Sequence, residues 1–140
     1  MAEAVKASFQ FERFKIPNFT YNESTKAEVT LNLVLTPKGY YNKGEFMMEL
    51  NLVARDNDDL ESIILTVKSV AFFKFESDLQ LKEIPPFFYQ NAIAIVFPYL
   101  RAFISNLTLQ ANTGLIILGL LNLSNLQDEF ISNTVEASKS

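Results

Sequence analysis

Proton transfer, nucleophilic attack and metal binding each demand particular side chains, and most of those are missing here. The 140-residue chain has no His and no Cys. That removes the commonest general base, the commonest metal ligand, the thiolate nucleophile and any Cys/His zinc site. A Ser nucleophile served by lysine would show a Ser-x-x-Lys pattern, and none occurs. The four glycines are scattered, so no loop can cradle a phosphate. One acidic group stands out: Asp56-Asn57-Asp58-Asp59 with Glu61. It lacks the ligand spacing of a calcium loop, and its composition suits a hairpin turn better. No pair of carboxylates is singled out for glycoside hydrolysis. The expectation is a protein that is not an enzyme, uses no cofactor and no metal, and acts by binding through apolar surface.

Composition narrows the partners. The formal net charge is −4 with no Lys/Arg cluster, which argues against nucleic acid. Zero Cys excludes a disulfide scaffold. The first residues lack the apolar stretch of a signal peptide, and the longest unbroken apolar run, Leu115 to Leu121, is too short to cross a bilayer. A cytoplasmic protein without membrane insertion is expected. Phe is over-represented at 13 residues, more than one small core readily absorbs, so some should serve an interface.

The elements that would position these side chains follow from periodicity. Phe9 and Phe11 alternate, then the phase slips to Phe14 and Ile16, a strand with a bulge near Glu12-Arg13. Pro17 and the polar stretch to Lys26 interrupt it. Residues 27–36, 45–55 and 62–76 alternate in turn, joined by turn chemistry at 37–44 and 57–59. From about 90 to 111 apolar residues recur at helical spacing, with Pro98 expected to kink the helix. An apolar loop, Leu115 to Leu121, leads to a short second helix over about 124–134 with Ser124 as its N-cap. The tail, 133–140, is polar and should fray. The whole reads as one α+β domain over 1–140, a four-stranded antiparallel sheet within about 8–76 followed by one long kinked helix and a shorter one. Two helices cover one face of such a sheet. Ile63, Leu65 and Val67 should point to that face, whereas Val34, Met47, Val53, Ile64, Val70 and Phe72 should point to the other and find cover in another subunit or a ligand.

The stretch Ile95-Val96-Phe97-Pro98-Tyr99-Leu100-Arg101 resembles the start of the long helix in the bacterial export chaperone SecB and its relatives, where an apolar residue precedes Phe-Pro-Tyr-x-Arg. Phe97, Pro98, Tyr99 and Arg101 match, with Ile104 and Leu107 in register. Gly114 to Leu123 stands where that family has its apolar loop, with Leu118 and Asn122 in matching places, and Gly114 and Leu120 where prolines are expected. Phe9-Gln10-Phe11 and Glu28 to Leu33 resemble its first two strands. The resemblance implies a homotetramer, a dimer of dimers, that holds unfolded or pre-export polypeptides without ATP and delivers them to a partner such as SecA of the Sec translocase. It also implies grooves between sheet, loop and second helix. On that basis Phe87, Phe88, Tyr89, Leu115, Ile117, Leu118, Leu120 and Leu121 are candidate client-binding residues. Phe97, Tyr99, Phe103, Leu107, Val70 and Phe72 are candidates for the subunit interface. SecA docking in that family uses acidic residues of the early sheet, and Lys15 to Thr20 carries none. A dedicated chaperone for one client, such as an antitoxin, is therefore an alternative, and a carrier of a small apolar ligand is another.

Overall fold

Alternating apolar and polar residues leave one face of each strand in need of cover, and the sheet and helices form around that need. The computed structural model describes residues 8–26, 28–114, 116–118, 123 and 125–137. Five strands, β1 (Phe9–Tyr21), β2 (Leu31–Asn42), β3 (Glu45–Asp56), β4 (Asp59–Phe75) and β5 (Thr134–Glu136), lie in the order β1-β4-β3-β2-β5. The first four pair antiparallel, and β5 pairs parallel with β2. The sheet is thus mixed and five-stranded, not the four-stranded antiparallel sheet expected. Because β1 and β2 lie three places apart, residues 22–30 cross from one side of the sheet to the other, a Greek-key path.

The turns follow from residue type. Lys43 and Gly44 take φ of 45° and 85°, the left-handed pair that a two-residue hairpin requires. Asn57-Asp58 forms the next hairpin, where Asp56 Oδ1 accepts the Asp58 N–H at 2.9 Å. The acidic cluster is therefore a turn, as its composition suggested. Lys26, on the crossover, reaches Asp56 Oδ2 at 2.6 Å, and the Asn57 N–H donates to Thr30 O at 2.8 Å, which ties the crossover to this hairpin.

Several expectations need correction. Pro17 does not end β1. The strand runs on to Tyr21 with a register shift between Lys15 and Asn18, tolerable because β1 is an edge strand that, among the described residues, has no partner on that side to receive an N–H. The expected bulge is present between Phe11 and Arg13. An irregularity in the β3–β4 pairing, between Ala54 and Arg55 opposite Leu65 and Ile63, inverts the simple alternation in β4. Ile64 enters the core beside Leu65, and Ile63 is left 42% exposed. The long helix α1 spans Pro86–Gln110, starting earlier than 90. Pro85 occupies its N-cap and Pro86 its first turn, where a missing N–H costs nothing. Pro98 sits inside this helix without dividing it; the Ala94 carbonyl that it cannot serve lies on the exposed side. The second helix, α2, is Leu126–Ser132 with Asn125 at the N-cap position, while Ser124 lies outside the described residues. The tail does not simply fray: Thr134–Glu136 forms β5, and the Ala137 N–H donates to Tyr41 O at 2.8 Å.

Helix α1 is long and apolar enough to cross a bilayer. It lies instead along the inner face of the sheet, burying Phe88, Ala92, Val96, Leu100 and Ile104 on one stripe. Phe88 stands at the centre of an aromatic cluster. Its ring lies 4.9 Å from Phe9, 4.8 Å from Phe46, 5.5 Å from Phe73, 4.8 Å from Phe75 and 5.5 Å from Tyr89, mostly edge to face. Much of the Phe excess is absorbed here.

Two outcomes follow. Phe88→Ala should cost about 3–5 kcal/mol in urea unfolding, whereas Phe87→Ala, at an exposed neighbouring position, should stay within about 0.5 kcal/mol. The Lys26 hydrogen bond holds the Asp56 carboxyl below its ordinary value, and the same bond holds the Lys26 ammonium above its own. A depressed carboxyl stabilises the fold above the unfolded value of about 3.9 and loses that contribution as pH falls through the folded value. Asp56→Asn should therefore flatten the acid limb of a stability–pH profile below about pH 4. The effect is modest, since Lys26 is half-exposed.

Candidate functional site

Apolar side chains left in water at the mouth of a depression mark where a partner would gain most, and two such depressions adjoin the helices. The first, of ≈ 660 Å³, is walled by Leu81, Ile84 and Pro86 on one side and Ile131 and Thr134 on the other, with Tyr89 at its floor. Its far wall depends on Gly39 in β2. A Cβ there would lie 2.5 Å from Phe46 Cζ and 2.5 Å from Thr134 Oγ1, so only glycine lets β5 and Phe46 close up at this point. Three hydrogen bonds hold the junction. Thr134 Oγ1 donates to Phe130 O at 2.7 Å, Asn133 Nδ2 to Pro37 O at 3.0 Å, and the Gly39 N–H to Asn133 O at 3.3 Å. Phe130 is fully buried, its ring 5.7 Å from Phe46 and 5.0 Å from Tyr89. Burial pushes the Tyr89 phenol up, opposed by its hydrogen bond to Thr134, so the floor stays neutral.

The second depression, of ≈ 390 Å³, lies beyond the end of α1, with Val29, Leu31, Ile64, Ile116 and Ile117 on its apolar side and Glu23, Ser24, Lys26 and Thr113 on its polar side. Asn112 (φ 60°) and Gly114 (φ 102°) turn the chain back as α1 ends. The Thr108 hydroxyl, buried, donates to Ile104 O at 3.0 Å and accepts the Ile116 N–H at 2.9 Å; Ser105 Oγ donates to Ile116 O at 3.2 Å. Tyr21 and Thr113 hydroxyls meet at 2.7 Å. With the backbone pinned at Ile116, Leu118 drops into the core and Ile117 is left 69% exposed.

A third apolar surface follows the unpaired edge of β1. Tyr99 lies 5.5 Å from both Phe11 and Phe14, and Phe103 lies 5.1 Å from Phe19. Phe19 and Tyr99 are about half-exposed.

The residues singled out from sequence are dispersed over these features. Phe87 is exposed in the first turn of α1, Phe88 belongs to the core because α1 begins before it, and Tyr89, also buried, lines the first depression. Ile117 is at the rim of the second depression and Leu118 is buried, whereas Leu115, Leu120 and Leu121, like Asn122, lie outside the described residues. Tyr99 and Phe103 sit in the aromatic seam, Leu107 packs half-buried against the core, and Phe97 is buried within it. Val70 and Phe72 are on the opposite face of the sheet, Val70 buried and Phe72 partly so. Ile131 of α2 and Thr134 of β5 were missed as site residues: helical spacing gives Ile131 the look of a core position, and a three-residue strand carries no alternation to read. Among the described residues no group of three acidic, His or Cys side chains could hold a metal.

No family profile matches the chain. An uncharacterized protein of Methanocaldococcus jannaschii is 27% identical over 130 residues, covering 86% of this chain and 83% of that protein. Among solved structures, the Mycobacterium tuberculosis SecB-like chaperone Rv1957, in complex with a ChAD peptide from the HigA1 antitoxin, superposes with a TM-score of 0.66. The match covers 81% of this chain and 88% of that one, at 15% identity. The chain has the SecB-like fold. The SecB-like arrangement of sheet, long helix, loop and short helix therefore frames both depressions.

Gly39→Ala tests the junction. Overpacking at this site should cost about 1–3 kcal/mol, and amide exchange should accelerate in Leu126–Glu136 more than in β3 or β4.

Proposed function

We propose that this protein is a chaperone that holds an extended, apolar stretch of a client polypeptide, and that it serves a dedicated client. The observation that carries this reading is the pairing of open depressions with exposed hydrophobic side chains at their rims, Ile131 in one and the 69%-exposed Ile117 in the other. Their walls are pinned by side-chain hydrogen bonds, so a client would meet a pre-formed surface. The likeness in fold to a SecB-like chaperone solved with an antitoxin peptide supports the dedicated form over a general holdase that feeds the Sec translocase. So does the absence of carboxylates from Lys15 to Thr20. Binding draws on no nucleotide, cofactor or metal in this reading, and its setting is cytoplasmic.

Two surfaces suit self-association into the homotetramer that the SecB resemblance implies. One is the free edge of β1 with the seam of Phe19 and Tyr99, an edge that unassisted strands leave open to pairing. The other is the solvent side of α1, where Asn91, Ala94, Pro98, Ala102 and Asn106 are exposed and uncharged. Arg101 is the single charged residue of that 25-residue helix. Two different isologous contacts are what a dimer of dimers needs.

Light scattering with and without a urea-unfolded client tests both claims. A mass near four times 15.9 kDa that rises with client is expected; a monomer that ignores every client would sink the proposal. Competition among unrelated unfolded proteins then separates a dedicated chaperone, which one client saturates alone, from a general one. Ile117→Asp combined with Ile131→Asp should weaken client binding by at least about ten-fold while the circular dichroism spectrum is kept. Phe19→Asp with Tyr99→Asp should instead lower the mass.

A further inference from the structure

The face of the sheet turned away from the helices has a charge opposite to that of the molecule. Strand register places Arg13 and Lys15 of β1, Lys38 of β2, Arg55 of β3, and Lys68 and Lys74 of β4 on this face. Against these six cations, the outward register positions carry two carboxylates, Glu45 and Glu49 of β3, with Glu12 in the β1 bulge and exposed Glu61 near the start of β4 beside them. The whole chain carries 12 cations and 16 carboxylates. Half of its positive charge is thus gathered on one sheet face that would be negative if charges were scattered evenly. Segregation is sharper still along β1 and β4, whose regularly paired outward positions carry four cations and no carboxylate.

Four of the cations, Arg13, Lys15, Lys38 and Lys74, flank an apolar centre, and Lys68 and Arg55 extend the basic strip along the strands. Tyr40, Met47 and Phe72 lie in one cross-strand row ending at Arg13. They line a depression of ≈ 530 Å³, open to solvent. The Arg13 guanidinium stands 4.7 Å from the centre of the Phe72 ring and the Lys15 ammonium 5.5 Å from it. Lys68 meets Glu49 at 3.6 Å. Two of the charged groups thus lie over the Phe72 ring while staying accessible to a partner.

We propose that this face docks an acidic polypeptide segment, one that places a hydrophobic side chain into the Tyr40–Met47–Phe72 depression and its carboxylates on the surrounding cations. Charge complementarity selects an anionic partner. The net charge of −4 and the apolar centre favour a peptide over a nucleic acid, whose dense phosphates the rest of the molecule would repel. This site is separate from the depressions beside α1 and α2, so its occupant is a second partner and not the held client.

Fluorescence anisotropy with a labelled peptide of about 20 residues, Glu and Asp interspersed with Phe and Leu, tests the inference. The comparison probes are the same peptide with Lys at every acidic position and a single-stranded oligonucleotide of similar length. Selective binding of the acidic peptide is expected, weakening as salt rises from about 50 to about 300 mM. The triple variant Lys15→Gln, Lys68→Gln, Lys74→Gln should bind it at least about ten-fold less tightly. Lys43→Gln with Lys82→Gln, away from this face, should leave affinity unchanged, as should Ile117→Asp with Ile131→Asp, so failure here and failure of client holding read out separately. Equal binding of acidic and basic peptides, tighter binding of the oligonucleotide, or full affinity in the triple variant would each overturn the proposal. Salt-sensitive growth of the protein's own mass without peptide binding would also do so, by giving the face to a second copy of the chain.

Discussion

The packing of Phe88 against the inner face of the sheet is the contact on which the rest of the architecture depends. One ring from the first turn of α1 engages Phe9 of β1, Phe46 of β3 and Phe73 and Phe75 of β4 at once. Aromatic pairs of this kind add roughly 0.5–1.5 kcal/mol each beyond the area they bury. Their geometry also sets where α1 begins and the line it takes across the strands. From that line follows the position of Thr108 near the far end, and so the point at which the returning chain is caught at Ile116. At the near end, Tyr89 gives Phe130 a ring to pack on, which seats α2 and brings β5 beside β2.

A single-layer sheet with two helices on one side cannot cover both its faces, and this molecule treats the two sides differently. The helix side closes over an aromatic and aliphatic core, leaving openings where α2, the returning loop and the crossover meet the sheet. The other side keeps a thin apolar centre and covers part of it with the stems and heads of long cations, as Arg13 and Lys15 do over Phe72. Val70, expected to be exposed, is buried on that side, opposite Lys15 and Glu49 in register. One chain thus offers depressions rimmed by exposed isoleucines on one side and a basic surface on the other, two chemistries suited to two different partners.

Glycine and hydroxyl groups do the fine positioning. Gly39 is needed because Phe46 and Thr134 occupy the space a Cβ would take, so the fifth strand approaches at a spacing no other residue permits. Thr108 serves as both donor and acceptor at a helix end where backbone groups would otherwise lack partners. Neither role has a periodic signature. Each depends on neighbours 7 to 95 residues away along the chain, and pattern reading is confined to neighbours within a turn or a strand.

Local pattern was enough for the α+β order, the strand β3, the alternation of Leu31, Leu33 and Leu35, the bulge in β1, the turn at Asp56–Asp59 and the amphipathic character of α1, because these depend on alternation and turn chemistry within a few residues; it ended β2 at 36, whereas pairing with β3 carries that strand through Pro37-Lys38-Gly39 to Asn42. It was also enough to point to the SecB-like fold through Phe97-Pro98-Tyr99-x-Arg101. It misjudged Ile63 and Ile64, since a register shift against β3 reverses which of them faces inward, and register belongs to a pair of strands. It assigned Phe88 and Tyr89 to a surface that α1 turns inward, and it left β5 unseen, because three residues form a strand only when β2 and Gly39 lie beside them. The gathering of six cations on one face was likewise invisible as a linear cluster. They are spread from Arg13 to Lys74, and only the pairing of four strands brings them together.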